Sequence, residues 1–146
     1  MKKATLILIV IALLAFAAWK AYYYFYSAPK NLTTVDAIAT LNATELVQAF
    51  EADSASANRK YLGKVVAVEG EIKSIETDGG VTIVLKTDNA ASTVRCSMDS
   101  TQKTASSELK EGSLIKIKGN CSGYTADELL GADVILNRCV LVNTKN

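Results

Sequence analysis

The chain has 146 residues and a mass of 15.6 kDa, with 49% apolar and 21% charged residues, one Pro and eight Gly; this is enough for one folded domain rather than two, and too apolar for general disorder. Sixteen Lys and Arg face fifteen Asp and Glu, but Lys2, Lys3, Lys20 and Lys30 precede every acid, so residues 31–146 hold twelve bases against fifteen acids and are net negative by three. There is no His, which removes imidazole bases and imidazole metal ligands, and with them most hydrolytic triads and most zinc enzymes.

Residues 4–19 are sixteen consecutive uncharged, largely apolar residues, and the apolar stretch resumes after Lys20 as far as Tyr26. A helix rises about 1.5 Å per residue and needs about 20 residues to cross the hydrocarbon core, so residues 1–26 are expected to form a transmembrane signal-anchor. Lys20 would snorkel its ammonium to the headgroups, beside an aromatic belt of Trp19, Tyr22, Tyr23 and Tyr24. Seven of the ten aromatic residues lie between Phe16 and Tyr26. The short tail with Lys2 and Lys3 favours an inside amino terminus, which puts the remainder on the periplasmic or extracellular side of a bacterial inner membrane. The competing expectation is a cleaved secretory signal, with Leu6 to Leu14 as its apolar core and Ala15-Phe16-Ala17 as the processing site. Export follows either way, and a lipobox cysteine is absent from the segment. A buried helix of a soluble protein would normally carry polar residues on one face.

Residues 27–41, with the sole proline Pro29, read as a juxtamembrane linker containing a short helical turn over 35–41. Asn42 and Glu45 form a capping-box pattern that opens one amphipathic helix over about 43–60, with Leu46, Phe50 and Ala57 on its apolar stripe and Tyr61 beyond. From Lys64 the period changes to two, and five strands follow over 64–75, 81–86, 93–98, 113–121 and 132–142. Their inward positions are Val66, Val68 and Ile72; Val81, Ile83 and Leu85; Val94, Cys96 and Met98; then Ile115, Ile117, Gly119 and Cys121. Short helical turns are expected within 99–109 and over 126–130. The fold class is therefore mainly β: a five-stranded Greek-key barrel of OB type over 42–146, preceded by an amphipathic helix and an N-terminal transmembrane helix. A sandwich would normally need more strands.

The ordered blocks ELVQAFEADSASANRKYLGKVVAVEGEI, VRCSM, GSLIKIKGNCSGY and ADVILNRCVLV resemble the tRNA_anti-like family, OB-fold domains of bacterial membrane-anchored or secreted proteins. The resemblance covers roughly residues 44–142. It implies the OB fold, and it implies no activity and no ligand.

OB barrels bind single-stranded nucleic acid by stacking bases on aromatics within a basic groove. Beyond residue 30 the aromatics are only Phe50, Tyr61 and Tyr124. The outward residues Thr82, Val84, Lys86, Thr93, Arg95 and Ser97 supply some charge without a stacking platform, and a net negative domain lacks the electrostatic term that dominates nonspecific affinity. Nucleic acid is therefore disfavoured. The basic residues Arg59, Lys60, Lys64, Lys86, Arg95, Lys116 and Lys118, with Tyr124, read either as a solvated face or as a ligand or partner surface. Cys96, Cys121 and Cys139 allow at most one disulfide. A simple hairpin register sets Cys121 opposite Val134, so Cys96–Cys139 and Cys96–Cys121 rank above Cys121–Cys139; three small buried thiols are the alternative. No CxxC, zinc spacing, Walker motif or serine-nucleophile motif occurs, so no enzymatic step and no cofactor are expected. The expected function is a membrane-anchored binding module for an envelope protein. A secreted domain that binds an oligosaccharide or other small ligand through the loops 78–80 and 122–131 is the alternative, followed by single-stranded nucleic-acid binding.

Overall fold

A computed structural model of the chain describes residues 11–22, 32–102, 108–127 and 131–142. The chain divides into two compact units, 1–30 and 31–146.

In the first unit, residues 11–22 form a helix, α1, and each of them is exposed. Among the described residues no helix is long and apolar enough to cross a membrane. The expected transmembrane helix is thus not found: α1 has twelve residues. The rest of the span expected over 1–26, including Tyr23 and Tyr24, lies outside the described residues.

The second unit contains β1 (Thr40–Asn42), α2 (Ala43–Ala52), α3 (Ser54–Tyr61), β2 (Val65–Glu76), β3 (Thr82–Lys86), β4 (Thr93–Met98), β5 (Leu114–Asp127) and β6 (Gly131–Leu141). The sheet order is β1-β2-β3-β4-β6-β5, and a further β2–β5 pairing closes β2 to β6 into the five-stranded barrel of an OB-type fold. One long strand serves both sides of the closure. The first half of β2, Val65 to Glu71, pairs with β5, and the second half, Ile72 to Glu76, pairs with β3 across a register shift at Ile72/Ser74.

Three local expectations are corrected. The helical turn expected over 35–41 is instead an extended strap: Ile38 N–H donates to the Val65 carbonyl at 2.8 Å, Ala67 N–H donates to the Ala39 carbonyl at 2.9 Å, and β1 lies parallel to β2. The free backbone edge of β2 provides those partners, which no local pattern in the sequence announces. The single helix over 43–60 is two helices, broken at Asp53, which closes α2 and caps α3 by accepting from the Ser56 N–H at 3.0 Å. Asp and Ser side chains compete for backbone groups in this way and so favour helix ends over interiors. Finally, β5 continues beyond Cys121 to Asp127, so 126–127 is strand; 128–130 lies outside the described residues. The return into β6 passes through Gly131 at φ 91, where a Cβ would collide with the Ala91 carbonyl.

The expected capping box is present. Glu45 N–H donates to Asn42 Oδ1 at 2.7 Å, and Asn42 N–H donates to Glu45 Oε2 at 3.0 Å. It sets α2 so that Leu46, Val47 and Phe50 meet Val66, Val68, Ile83, Leu85, Val94, Ile117, Val134 and Leu136 in one buried cluster, which Ala57 and Tyr61 of α3 join.

A candidate interaction surface

The basic residues singled out in the sequence do not gather into one patch. Lys116 Nζ lies 2.8 Å from Glu69, its direct cross-strand partner, and Lys86 Nζ lies 3.7 Å from Glu71. Arg95 pairs with Glu76. Lys118 Nζ donates to the Thr33 and Val35 carbonyls at 3.2 and 2.6 Å, fastening the strap to β5. At the end of α3, Arg59 donates to Ser56 Oγ at 3.1 Å and Lys64 Nζ to the Arg59 carbonyl at 3.3 Å. Lys60 Nζ sits 5.0 Å from the centre of the Tyr61 ring. Every one of the seven cations has a partner within the domain. Lys86, Arg95 and Lys116 pair with carboxylates, while Arg59, Lys60, Lys64 and Lys118 meet uncharged groups that orient them without neutralising their charge; exposed pairs of this kind contribute little stability individually.

The three aromatic rings of the domain also turn to one another. Phe50 lies 6.1 Å from Tyr61, and Tyr124 stacks on Phe50 at 5.0 Å with the planes 16° apart. Tyr124 is therefore a lid on the core. Partial burial, and then the nearby Glu51 carboxylate, push its phenol above the ordinary tyrosine range. On α1, Trp19 and Tyr22 are 70% and 63% exposed, and Lys20 is exposed beside them.

All three cysteines are free and buried. Cys121 lies opposite Leu136 rather than Val134, because the hairpin closes at Asp127 and Gly131, a register that alone would set Cys121 opposite Asn137, and the shift between Cys121 and Gly123 moves it one residue to Leu136. Burial raises the Cys121 thiol above its usual range. Cys139 is raised well above that range, first by its hydrogen bond with Cys96 and then by burial. Groups held this firmly as thiols are poor nucleophiles.

A groove of about 450 Å³ opens at the first turn of α2 and was not foreseen from the sequence. It is lined by Thr44, Glu45 and Gln48 of α2, Glu69 and Gly70 of β2, Lys86 of β3, and Leu114 of β5, which is 79% exposed. Gly70 lets α2 approach closely, since a Cβ there would lie 3.2 Å from the Ala43 Cβ. The legible signal was Leu114, an apolar residue on the outward phase of its strand.

The family model described as tRNA_anti-like matches residues 1–140. Among solved structures, one similar chain is a proposed nucleic acid-binding lipoprotein from Klebsiella pneumoniae subsp. pneumoniae MGH 78578, with 20% identity over 70% of this chain and 91% of that one, at a TM-score of 0.55. Another is a proposed aspartyl-tRNA synthetase from Leishmania major Friedlin, with 10% identity over 79% of this chain and only 23% of that one, at a TM-score of 0.44. The first likeness is one of fold. No curated protein matches the chain.

Proposed function

The chain belongs to the tRNA_anti-like family, and from that premise we propose that it is a membrane-anchored, extracytoplasmic OB-fold interaction module whose partner is another envelope protein. The observation that carries this reading is α1, in which Ile11, Leu13, Leu14, Phe16 and Trp19 are each more than half exposed. Such a helix offers water no polar face, and it continues an apolar run of sequence that begins at Ala4. A bilayer is the medium that suits it.

The choice of a protein partner rests on the barrel exterior. Nonspecific binding of nucleic acid is driven by the release of counterions as Lys and Arg meet phosphates, and single strands add stacking on exposed rings. Lys86, Arg95 and Lys116 are already paired with carboxylates, residues 31–146 are net negative, and the three rings pack on one another. The name of the Klebsiella protein favours nucleic acid as the second reading, and the two make opposite predictions.

Fractionation of cells that express the full chain tests the anchor. The protein is expected in the membrane pellet after an alkaline wash, with its domain cut by protease added outside the cytoplasmic membrane, and crosslinking in intact cells is expected to join it to an envelope protein. Full-length protein free in the cytosol, or crosslinked there to RNA, would sink the proposal. Release of a shortened chain into the medium or periplasm would favour the secreted, small-ligand alternative.

A further inference from the structure

Arg59, Lys60 and Lys64 stand together at the turn from α3 into β2, and each meets an uncharged group rather than a carboxylate: the Ser56 hydroxyl, the Tyr61 ring and the Arg59 carbonyl. The turn is held firmly. Leu62 N–H donates to the Asn58 carbonyl at 3.0 Å, Gly63 N–H to the Cys121 carbonyl at 2.7 Å and Lys64 N–H to the Tyr61 carbonyl at 3.0 Å, with Gly63 at φ 73. Tyr61 is drawn into the core, and its neighbour Leu62 is turned out between the cations, 44% exposed. A second apolar side chain joins it. Ile38 of the strap is 53% exposed, and its N–H donates to the carbonyl of Val65, the residue after Lys64. Among the described residues the second unit exposes three large apolar side chains, Ile38, Leu62 and Leu114, and two of them lie at this corner.

Charge and chain length together decide what such a corner can face. The strap adds one exposed acid, Asp36, and the carboxylates of β2 begin five residues beyond Lys64 at Glu69, about 17 Å along the strand. Without Arg59, Lys60 and Lys64, residues 31–146 would hold nine bases against fifteen acids. An anionic surface therefore repels the domain as a whole and attracts it here, within the roughly 8 Å over which physiological salt leaves such a field unscreened. Ten residue steps separate Tyr22 of α1 from Leu32 at the start of the strap, and they cannot span more than about 35 Å. We propose that this corner docks on the anionic phospholipid headgroups of the membrane that holds α1, with the three cations among the phosphates and Leu62 and Ile38 entering the interface. The docking rests on the anchor proposed above. Each Lys or Arg close to an anionic leaflet adds to the attraction, and apolar side chains that reach the acyl boundary add burial. The tethered barrel thereby turns one face to the bilayer.

The full chain tests this after reconstitution into vesicles of phosphatidylcholine alone, or of phosphatidylcholine with phosphatidylglycerol, and flotation on a density gradient. Its lysines are acylated by a membrane-impermeant reagent, which reads only outward-facing domains, and the rate at each lysine is followed by mass spectrometry. Relative to Lys73 and Lys86 of the same molecules, Lys60 and Lys64 are expected to react roughly threefold or more slowly in the anionic vesicles than in the neutral ones. The slowing is expected to vanish in 1 M salt, where the Debye length is about 3 Å. Leu62→Asp leaves both reporter lysines in place and is expected to remove most of the slowing. Chain that floats with equal relative rates in both vesicles overturns the docking and leaves the anchor standing; chain that fails to float overturns both. Slowing of Lys60 and Lys64 by an added single-stranded oligonucleotide, and not by the anionic lipid, would assign the corner to nucleic acid and overturn the docking as well. Should Leu62→Asp not fold, the lipid and salt series on the unaltered chain still decides.

Discussion

α1 and the barrel use the same kinds of side chain in opposite ways. Leu13 and Leu14 are each 65% exposed, while Leu46, Leu85 and Leu136 of the second unit have no exposure at all. The difference lies in patterning rather than hydrophobicity. Alternation along a strand, or a stripe along a helix, gives a residue an inside to face, and α2 and β2 to β6 each have one. A segment that is apolar all round has no such side, and that is the physical ground of the proposed anchor. The strongest way to break the comparison is Phe50→Ala, because Phe50 is buried in the cluster that joins α2 to the barrel and stacks on Tyr124. It is expected to cost about 3–5 kcal/mol of unfolding free energy in urea titrations. Leu13→Ala removes a comparable apolar side chain from α1 and is expected to leave that midpoint unchanged.

Gly131→Ala comes next. The substituted residue would have to hold φ 91 and push its Cβ into the Ala91 carbonyl, so a loss of roughly 2 kcal/mol or more is expected in the same titration. Asn42→Ala opens both hydrogen bonds of the capping box and is expected to cost about 1 kcal/mol, with the largest gain in amide exchange in the first turn of α2.

These sites differ in how visible they were. The strand over 93–98 has the same limits in sequence and structure, and the strand over 81–86 differs by one residue, because β-branched alternation is a local signal. The capping box is equally local. What escaped the sequence is long-range: β1 pairs with a strand some 27 positions away, and the place where the β5–β6 hairpin closes, with one shift beside it, sets Cys121 opposite Leu136. The cations were visible as residues, but their neutralisation was not, since it depends on register placing Glu69 across from Lys116. That dependence can be tested. Glu69, Glu71 and Glu76 changed together to Gln would release Lys116, Lys86 and Arg95 and bring the net charge of residues 31–146 from minus three to zero. Binding of a single-stranded oligonucleotide at low salt is expected to appear in the variant and to be absent from the parent, while stability changes by roughly 0–1 kcal/mol per pair.

The smallest expected effect concerns acid, and it separates a cap's shape from its charge. The Ser56 N–H, and then its hydroxyl, hold the Asp53 carboxyl below the ordinary aspartate range, and the Thr101 N–H and hydroxyl do the same for Asp99, with Arg138 adding a further pull. A carboxylate whose folded pKa lies below its unfolded one contributes stability that is complete above the unfolded value and is lost as pH falls through the folded value. Stability should therefore decline from pH 5 towards pH 2. Asp53 is exposed and Asp99 half-buried, and both are held mainly by hydrogen bonds at exposed helix ends, so the slope they contribute is shallow. Asn is as good a helix N-cap as Asp and has no proton to take up. Asp53→Asn with Asp99→Asn is accordingly expected to match the parent near neutral pH and to lose less stability on acidification, measured as the urea midpoint at pH 5.5 and pH 3. An acid limb as steep in the double variant as in the parent would show that the two caps do not contribute to it.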